Sequence, residues 1–265
     1  MTRSIRRLVR LMVAALALST GRAAAQEFWA PAPAADLGAA ALLERGLPPS
    51  QSGFEAVALA IRWHGLPDLE TRSLAIGASG RGARLALGLS QTGEGDLGWN
   101  ALALAAGAGS EAGGCALRAC GRRRLDATGA LDSESGVEIG AGAWIAATEA
   151  VQVWASAPQL WTRGDPPPLE RWLEVGTAFR IADARLWLVR AAAPGAPAGL
   201  RAEHVAGLMV PLGPAALWLE ARDHPPRGGV GIEAGVARVI AAVEVDSHPV
   251  LGETVRLSLG WGARP

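Results

Sequence analysis

The chain has 265 residues, half of them hydrophobic, and its 25 basic and 25 acidic side chains cancel to a formal net charge of zero. That balance excludes the basic surface that nucleic-acid binding requires. The length suits one large β domain or two small ones, and the aromatic complement is dominated by its 10 tryptophans.

Arg3, Arg6, Arg7 and Arg10 precede an apolar run from Leu11 to Ser19, and Ala23 to Ala25 supply a small-residue cleavage site. This predicts a cleaved signal peptide over 1–25 and export, because the run is much shorter than the ~20 residues of a spanning helix. Residues 26–53 form an N-terminal segment rich in Ala, Pro and Gly, and residues 54–265 form the main domain.

From Phe54 onward, alternating segments of about ten residues are separated by turn-forming Gly, Pro, Asp and Ser, and no helix-period segment of useful length follows Gly53. Val57, Leu59, Ile61 and Trp63 share one face. So do Leu85, Leu87 and Leu89; Val137, Ile139, Ala141, Ala143 and Ile145; and Leu173, Val175, Thr177 and Phe179. The pattern continues through Leu186 and Leu188, Leu217 and Leu219, Val230 to Val236 and Val239 to Val245, and ends on Val255, Leu257, Leu259 and Trp261. The opposite faces carry small residues together with Arg62, Arg84, Glu138, Glu170, Glu174, Arg180, Arg185, Glu233, Glu244 and Arg256.

Breaks fall at "HGLPD" (His64 to Asp68), "SGRG" (Ser79 to Gly82), "TGEGD" (Thr92 to Asp96), "RGDPPP" (Arg163 to Pro168), "PLGP" (Pro211 to Pro214) and similar stretches. They divide the chain into ~14 strands, or ~12 if the ambiguous stretch from Gly121 to Ser135 is counted differently.

Cys115 and Cys120 pair only if Ala116 to Ala119 make a tight loop. In one extended strand, five steps of ~3.3 Å and an odd spacing put them too far apart and on opposite faces. The four histidines, His64, His204, His224 and His248, show no metal-ligand spacing, and the glycines near Gly77 to Gly88 lack the ending of a phosphate loop. The run Arg122-Arg123-Arg124 reads as a solvated face, with contact to lipid headgroup phosphates as the other reading.

Two architectures suit exported alternating strands: a soluble sandwich with an apolar inside, or an all-β transmembrane antiparallel up-and-down barrel with an apolar outside. Trp63, Trp99, Trp161 and Trp261 fall near strand ends, where a membrane barrel places its aromatic girdle, so the barrel is the expectation and a periplasmic binding sandwich the rival. In that barrel Arg62, Arg84, Glu138, Glu170, Glu174, Arg180, Arg185, Glu233 and Arg256 face the lumen. The accompanying small residues favour a lumen closed by arginine–glutamate pairing over an open polar path.

"HPVLGETVRLSLGW" (His248 to Trp261) resembles the final hairpin of the PorV/PorQ-like outer-membrane proteins, relatives of the FadL-type fatty-acid transporter barrels. "AIRWHGLPDLETRSLAIG" (Ala60 to Gly77), followed by Arg84 to Gly107, resembles their opening meander. The resemblance implies the cell outer membrane, with membrane lipid as partner. It also implies residues 26–53 as a short plug-like segment, and either uptake of a small hydrophobic ligand or an accessory role beside a secretion machine. The group's "N-P-A" plug signature has only Pro48-Pro49-Ser50 in its place, and the chain runs past Trp261 to Pro265.

No catalytic residue, metal site or cofactor is expected. A hydrolase on the barrel surface is the remaining rival and would need a serine beside His204 on a neighbouring strand. The closing strand, Glu253 to Gly262, is expected to pair back onto Ala56 to Trp63 and so remove both sheet edges.

Overall fold

The computed structural model describes residues 38–47, 53–66, 69–93, 98–110, 112–125, 135–164, 173–192, 202–223 and 226–262. The leader, Glu170 and His224 lie outside these residues.

Fourteen antiparallel strands form one closed barrel in sequence order. They are β1 (Gly53–Arg62), β2 (Glu70–Gly80), β3 (Ala83–Thr92), β4 (Gly98–Ser110), β5 (Gly113–Leu125), β6 (Ser135–Thr148) and β7 (Val151–Gly164). Continuing round the wall are β8 (Leu173–Ile181), β9 (Ala184–Ala192), β10 (Ala202–Leu212), β11 (Ala215–Asp223), β12 (Pro226–Val236), β13 (Val239–His248) and β14 (Gly252–Gly262). The fold is therefore the fourteen-stranded up-and-down barrel, not two stacked sheets. Of the ambiguous stretch from Gly121 to Ser135, residues 121–125 end β5 and Ser135 begins β6, and 126–134 lie outside the described residues.

Closure occurs where the alternation of the last strand predicts it. Glu55 pairs with Gly262 and Arg62 with Val255, with every step between in register. A closed sheet leaves no row of unpaired backbone groups, which is the condition for placing strands in hydrocarbon.

The wall is inverted relative to a soluble protein. Leu74, Leu85, Leu89, Leu102, Leu104, Leu117, Ile145, Leu219, Ile232, Leu257 and Leu259 are all exposed on the outside, while Arg84, Arg118, Arg122, Glu138, Glu174, Glu203, Glu244, Asp246 and Arg256 are buried inside. Burying charges and exposing leucines is unfavourable in water and favourable only where the outer surroundings are themselves apolar.

The two ends differ. At one end, each of the connections β2–β3, β4–β5, β6–β7, β8–β9, β10–β11 and β12–β13 is two residues long, whereas at the other they run from two to nine residues. Membrane barrels of bacterial type have this asymmetry of short turns and longer loops.

One expected face is reversed. Across the seam Ile61 lies opposite Arg256 and Leu59 opposite Ser258, and paired residues share a face, so Leu59 and Ile61 point inward. The outside of β1 is Phe54, Ala56, Ala58 and Ala60, continued by Arg62, which is exposed and not in the lumen. In β1 the inside happens to be the more apolar side, so hydrophobicity alone assigns the wrong face.

The helix α1 (Ala39–Arg45) lies inside the barrel against β1 to β7. Ala39, Ala41, Leu42, Leu43 and the following Leu47 are almost completely buried, and Gly46, at φ 65°, ends the helix in the left-handed region. The wall leaves room by placing glycine where the helix approaches. A Cβ at Gly77 would lie 2.7 Å from the Cβ of Ala39, and one at Gly142 would run into the backbone of Arg45 and Gly46.

Candidate functional site in the lumen

Because side chains alternate, each strand contributes every second residue to the interior, and the pairing register sets which of these become neighbours. On β5 to β7 this brings Arg118, Arg122 and Glu138 together. Arg118 Nη2 lies 3.0 Å from Glu138 Oε1, and Arg122 Nη1 donates to the other carboxylate oxygen. Gln159 donates to the same carboxylate at 3.0 Å, and Arg118 also donates to the carbonyl of Pro158 at 2.8 Å. Pro158 sits where the β6–β7 register shifts between Ile139 and Ala141, and Gly140 faces it with no side chain in the way.

The opposite wall carries a larger cluster. Arg256 donates to Glu244 at 2.7 Å and lies 3.7 Å from Asp246; Arg227 donates to Glu203 at 2.8 Å; Arg222 binds Glu220 through its Nε at 2.6 Å and reaches Glu203 at 3.6 Å. Four carboxylates thus face three arginines here, whereas two arginines share one carboxylate on β5 and β6.

Arg45, at the end of α1, stands between the two walls. Its Nε lies 3.3 Å from Glu174, and Ser156 on β7 donates its hydroxyl to the Arg45 carbonyl at 2.6 Å. The Arg45 guanidinium, always charged, is thus held by the Glu174 carboxylate while its carbonyl is held by Ser156, and the two contacts pin the end of the helix.

A few residues in from the short turns, tryptophans line part of the interior. Trp144 is register-paired with Trp154, and Trp154, Trp187 and Trp218 lie flat over Gly176, Gly207 and Gly231 of the next strands. Any Cβ at those glycines would overlap an indole ring. Trp154 also donates its Nε1 to Glu174 at 3.1 Å, which joins the tryptophan row to the α1 anchor.

At the end with the longer loops, Trp63 closes the seam. Its Nε1 donates to Thr71 at 2.8 Å, Thr71 and Thr92 share a hydrogen bond of 2.8 Å, and Arg256 lies 6.0 Å from the Trp63 ring centre. The neighbouring His64 donates its backbone N–H to Thr254 at 3.2 Å, and its ring meets His248 edge-on at 5.9 Å.

The structure sorts the residues that alternation assigns to the lumen. Arg84, Glu138, Glu174 and Arg256 are inward and buried; Arg185 and Glu233 are inward and half-buried; Arg180 is inward but exposed beside the β8–β9 turn; Arg62 is outside. The girdle reading needs the same sorting: Trp161 and Trp261 face outward and are 45% exposed, whereas Trp63 is buried inside and Trp99 is half-buried on the inner face.

Cys115 faces out and Cys120 in, both as free thiols, because β5 is one continuous strand. Of the arginine run, Arg122 and Arg124 face in and Arg123 faces out. His204 lies on the outer face and shares a hydrogen bond of 2.7 Å with Asp223, but the adjoining β9 and β11 carry no serine.

Sequence reasoning missed Gln159, Ser156, Arg118, Glu203, Glu220, Arg222, Arg227, Asp246 and the row of inner tryptophans, and it read Arg122 as part of a solvated face, although Arg122 is buried against Glu138. Their parity on each strand was the available signal.

No protein-family model matches the chain, and no curated protein matches it. Solved structures of porin mutants from Rhodopseudomonas blastica are similar: two have TM-scores of 0.44 and 11% identity, covering 80% of this chain and 99% of theirs. A third mutant of that porin has a TM-score of 0.45 at 11% identity. The closed strand order of this chain stands without them.

Proposed function

We propose that the chain is an outer-membrane β-barrel, exported by a cleaved leader, in which α1 acts as a lumen plug and the barrel admits small molecules in a restricted way, without catalysis. The observation that carries this reading is the inversion of the wall, with leucines outside and paired charges inside. Fourteen strands enclose more space than eight strands, whose interior side chains just fill. Here α1, the ion pairs and the tryptophan row take up that space. The tryptophan row supports a permeant with an apolar part, and the hairpins resembling the PorV/PorQ and FadL-type barrels support the same assignment.

Fractionation followed by gel electrophoresis without heating tests the location. A heat-modifiable band in the outer-membrane fraction, with an intact mass starting at Gln26, is expected; a soluble band that does not shift contradicts it. Planar-bilayer conductance tests the plug. Low conductance that rises severalfold in Arg45→Ala/Ser156→Ala is expected. A second reading, a structural barrel beside a secretion machine, draws on the density of internal pairing. It predicts no conductance in either form.

A further inference from the structure

On the outer face, the boundary between apolar and polar residues follows one line across neighbouring strands. Leu74, Leu89, Leu102, Gly121 and Val137 are register-paired in succession from β2 to β6, and one step nearer the longer loops the row reads Arg72, Gln91, Asn100, Arg123 and Ser135. Arg163 of β7 joins this boundary opposite Val137. Within it lies a groove of about 790 Å³ lined by Leu89, Leu102 and Val137, with open space where Gly121 carries no side chain. Arg123, Arg163 and Trp161 rim the groove, and all three side chains are exposed.

The two arginines differ from Arg72, which shares the row of Arg123 and whose Nε is tied to Glu70 at 2.7 Å. Neither Arg123 nor Arg163 has a carboxylate partner among the described residues. They lie two strands and one same-face step apart, roughly 12 Å between Cα atoms, a span that two long side chains can cross to bring their guanidinium groups onto one anion. Cations held at the edge of an apolar band, beside an interfacial tryptophan, complement a phosphate at headgroup depth, and the leucine lining complements acyl chain.

On the reading that the barrel spans a membrane, we infer that the groove between β3 and β7 is a binding site for the phosphate-bearing headgroup and acyl chain of an anionic membrane lipid, held by Arg123 and Arg163. Gly121 is part of the site because it gives an acyl chain access to the wall.

The test measures how much dioleoylphosphatidylglycerol the purified full-length barrel retains from mixed micelles, against dioleoylglycerol, which lacks the phosphate. Preferential retention of the phospholipid is expected, with an approximately tenfold loss in Arg123→Gln/Arg163→Gln. Gly121→Leu should weaken retention similarly, since no atom lies within 4 Å of a Cβ built there and the variant can fold. Both variants should keep heat-modifiable migration.

Equal retention of the two lipids, no change in either variant, or an equal loss in Arg190→Gln, an outward arginine of β9, would overturn the site. So would complete displacement by inorganic phosphate, which would identify the ligand as a free anion. If the native barrel is heat-modifiable but shows no lipid preference, the lipid site alone falls; if it is not heat-modifiable, the membrane reading falls with it.

Discussion

At the scale of single residues, the interior depends on charges that are expensive to bury singly. Removing Glu138 leaves Arg118 and Arg122 facing each other without a counter-charge, and breaking a buried pair of this kind costs about 3–5 kcal/mol. Glu138→Ala should therefore lower the temperature at which the compact gel form is lost, and by more than Arg180→Ala, whose side chain is exposed beside a turn.

His64 supplies a pH dependence at the rim with the longer loops. Burial first, then the neighbouring His248 and Arg227, lower its pKa below the ordinary 6.5. The unfolded chain then takes up the proton more readily than the folded one, so His64 costs no stability well above that value and destabilises progressively as the pH falls through it. The protection factor of the His64 amide, its exchange rate relative to the unfolded chain at the same pH, should fall below about pH 6, and His64→Gln should weaken that dependence. The charged residues of the lumen were legible from strand parity where the strand was amphipathic, as with Glu138 and Arg256. Parity failed at Arg62, because the inner face of β1 is filled by Leu59, Ile61 and Trp63 and not by polar groups.

At the scale of elements, glycine and proline made most turns visible, and the tight turns that carry neither showed only as changes in the alternation. The β8–β9 and β12–β13 turns pass through Ala182 at φ 52° and Ala237 at φ 54°, positions where left-handed backbone ordinarily calls for glycine or asparagine. Neither "IADA" nor "VARV" offers a glycine or proline to mark the reversal. The cysteines were legible for the opposite reason: continuous extension and odd spacing are enough to put them on opposite faces. Cys115 should react with a membrane-permeant maleimide in the folded barrel and Cys120 only after unfolding, with no disulfide in the intact mass.

The α1 element depends on the wall for its place more than on its own seven residues, too few for a stable helix in isolation. Gly142→Leu should displace it, because the new side chain would occupy the backbone position of Arg45. Conductance is then expected to rise without loss of the heat-modifiable form. The helix itself was hidden in the sequence, since its burial is created by strands that follow it in the chain.

At the scale of the whole molecule, the central claim is that alternation along each strand separates a membrane-facing wall from a charged, packed interior, and that β14 closes the barrel on β1. The most direct test uses a protein whose native cysteines are replaced by alanine, carrying a single nitroxide label at Leu257, Ser258 or Leu259 in proteoliposomes. Collision rates with oxygen and with a water-soluble nickel complex are then measured at each site. Labels at Leu257 and Leu259 are predicted to collide with oxygen and be shielded from nickel, with the label at Ser258 protected from oxygen. Equal nickel access at all three positions, or the reverse alternation, would contradict the inverted barrel.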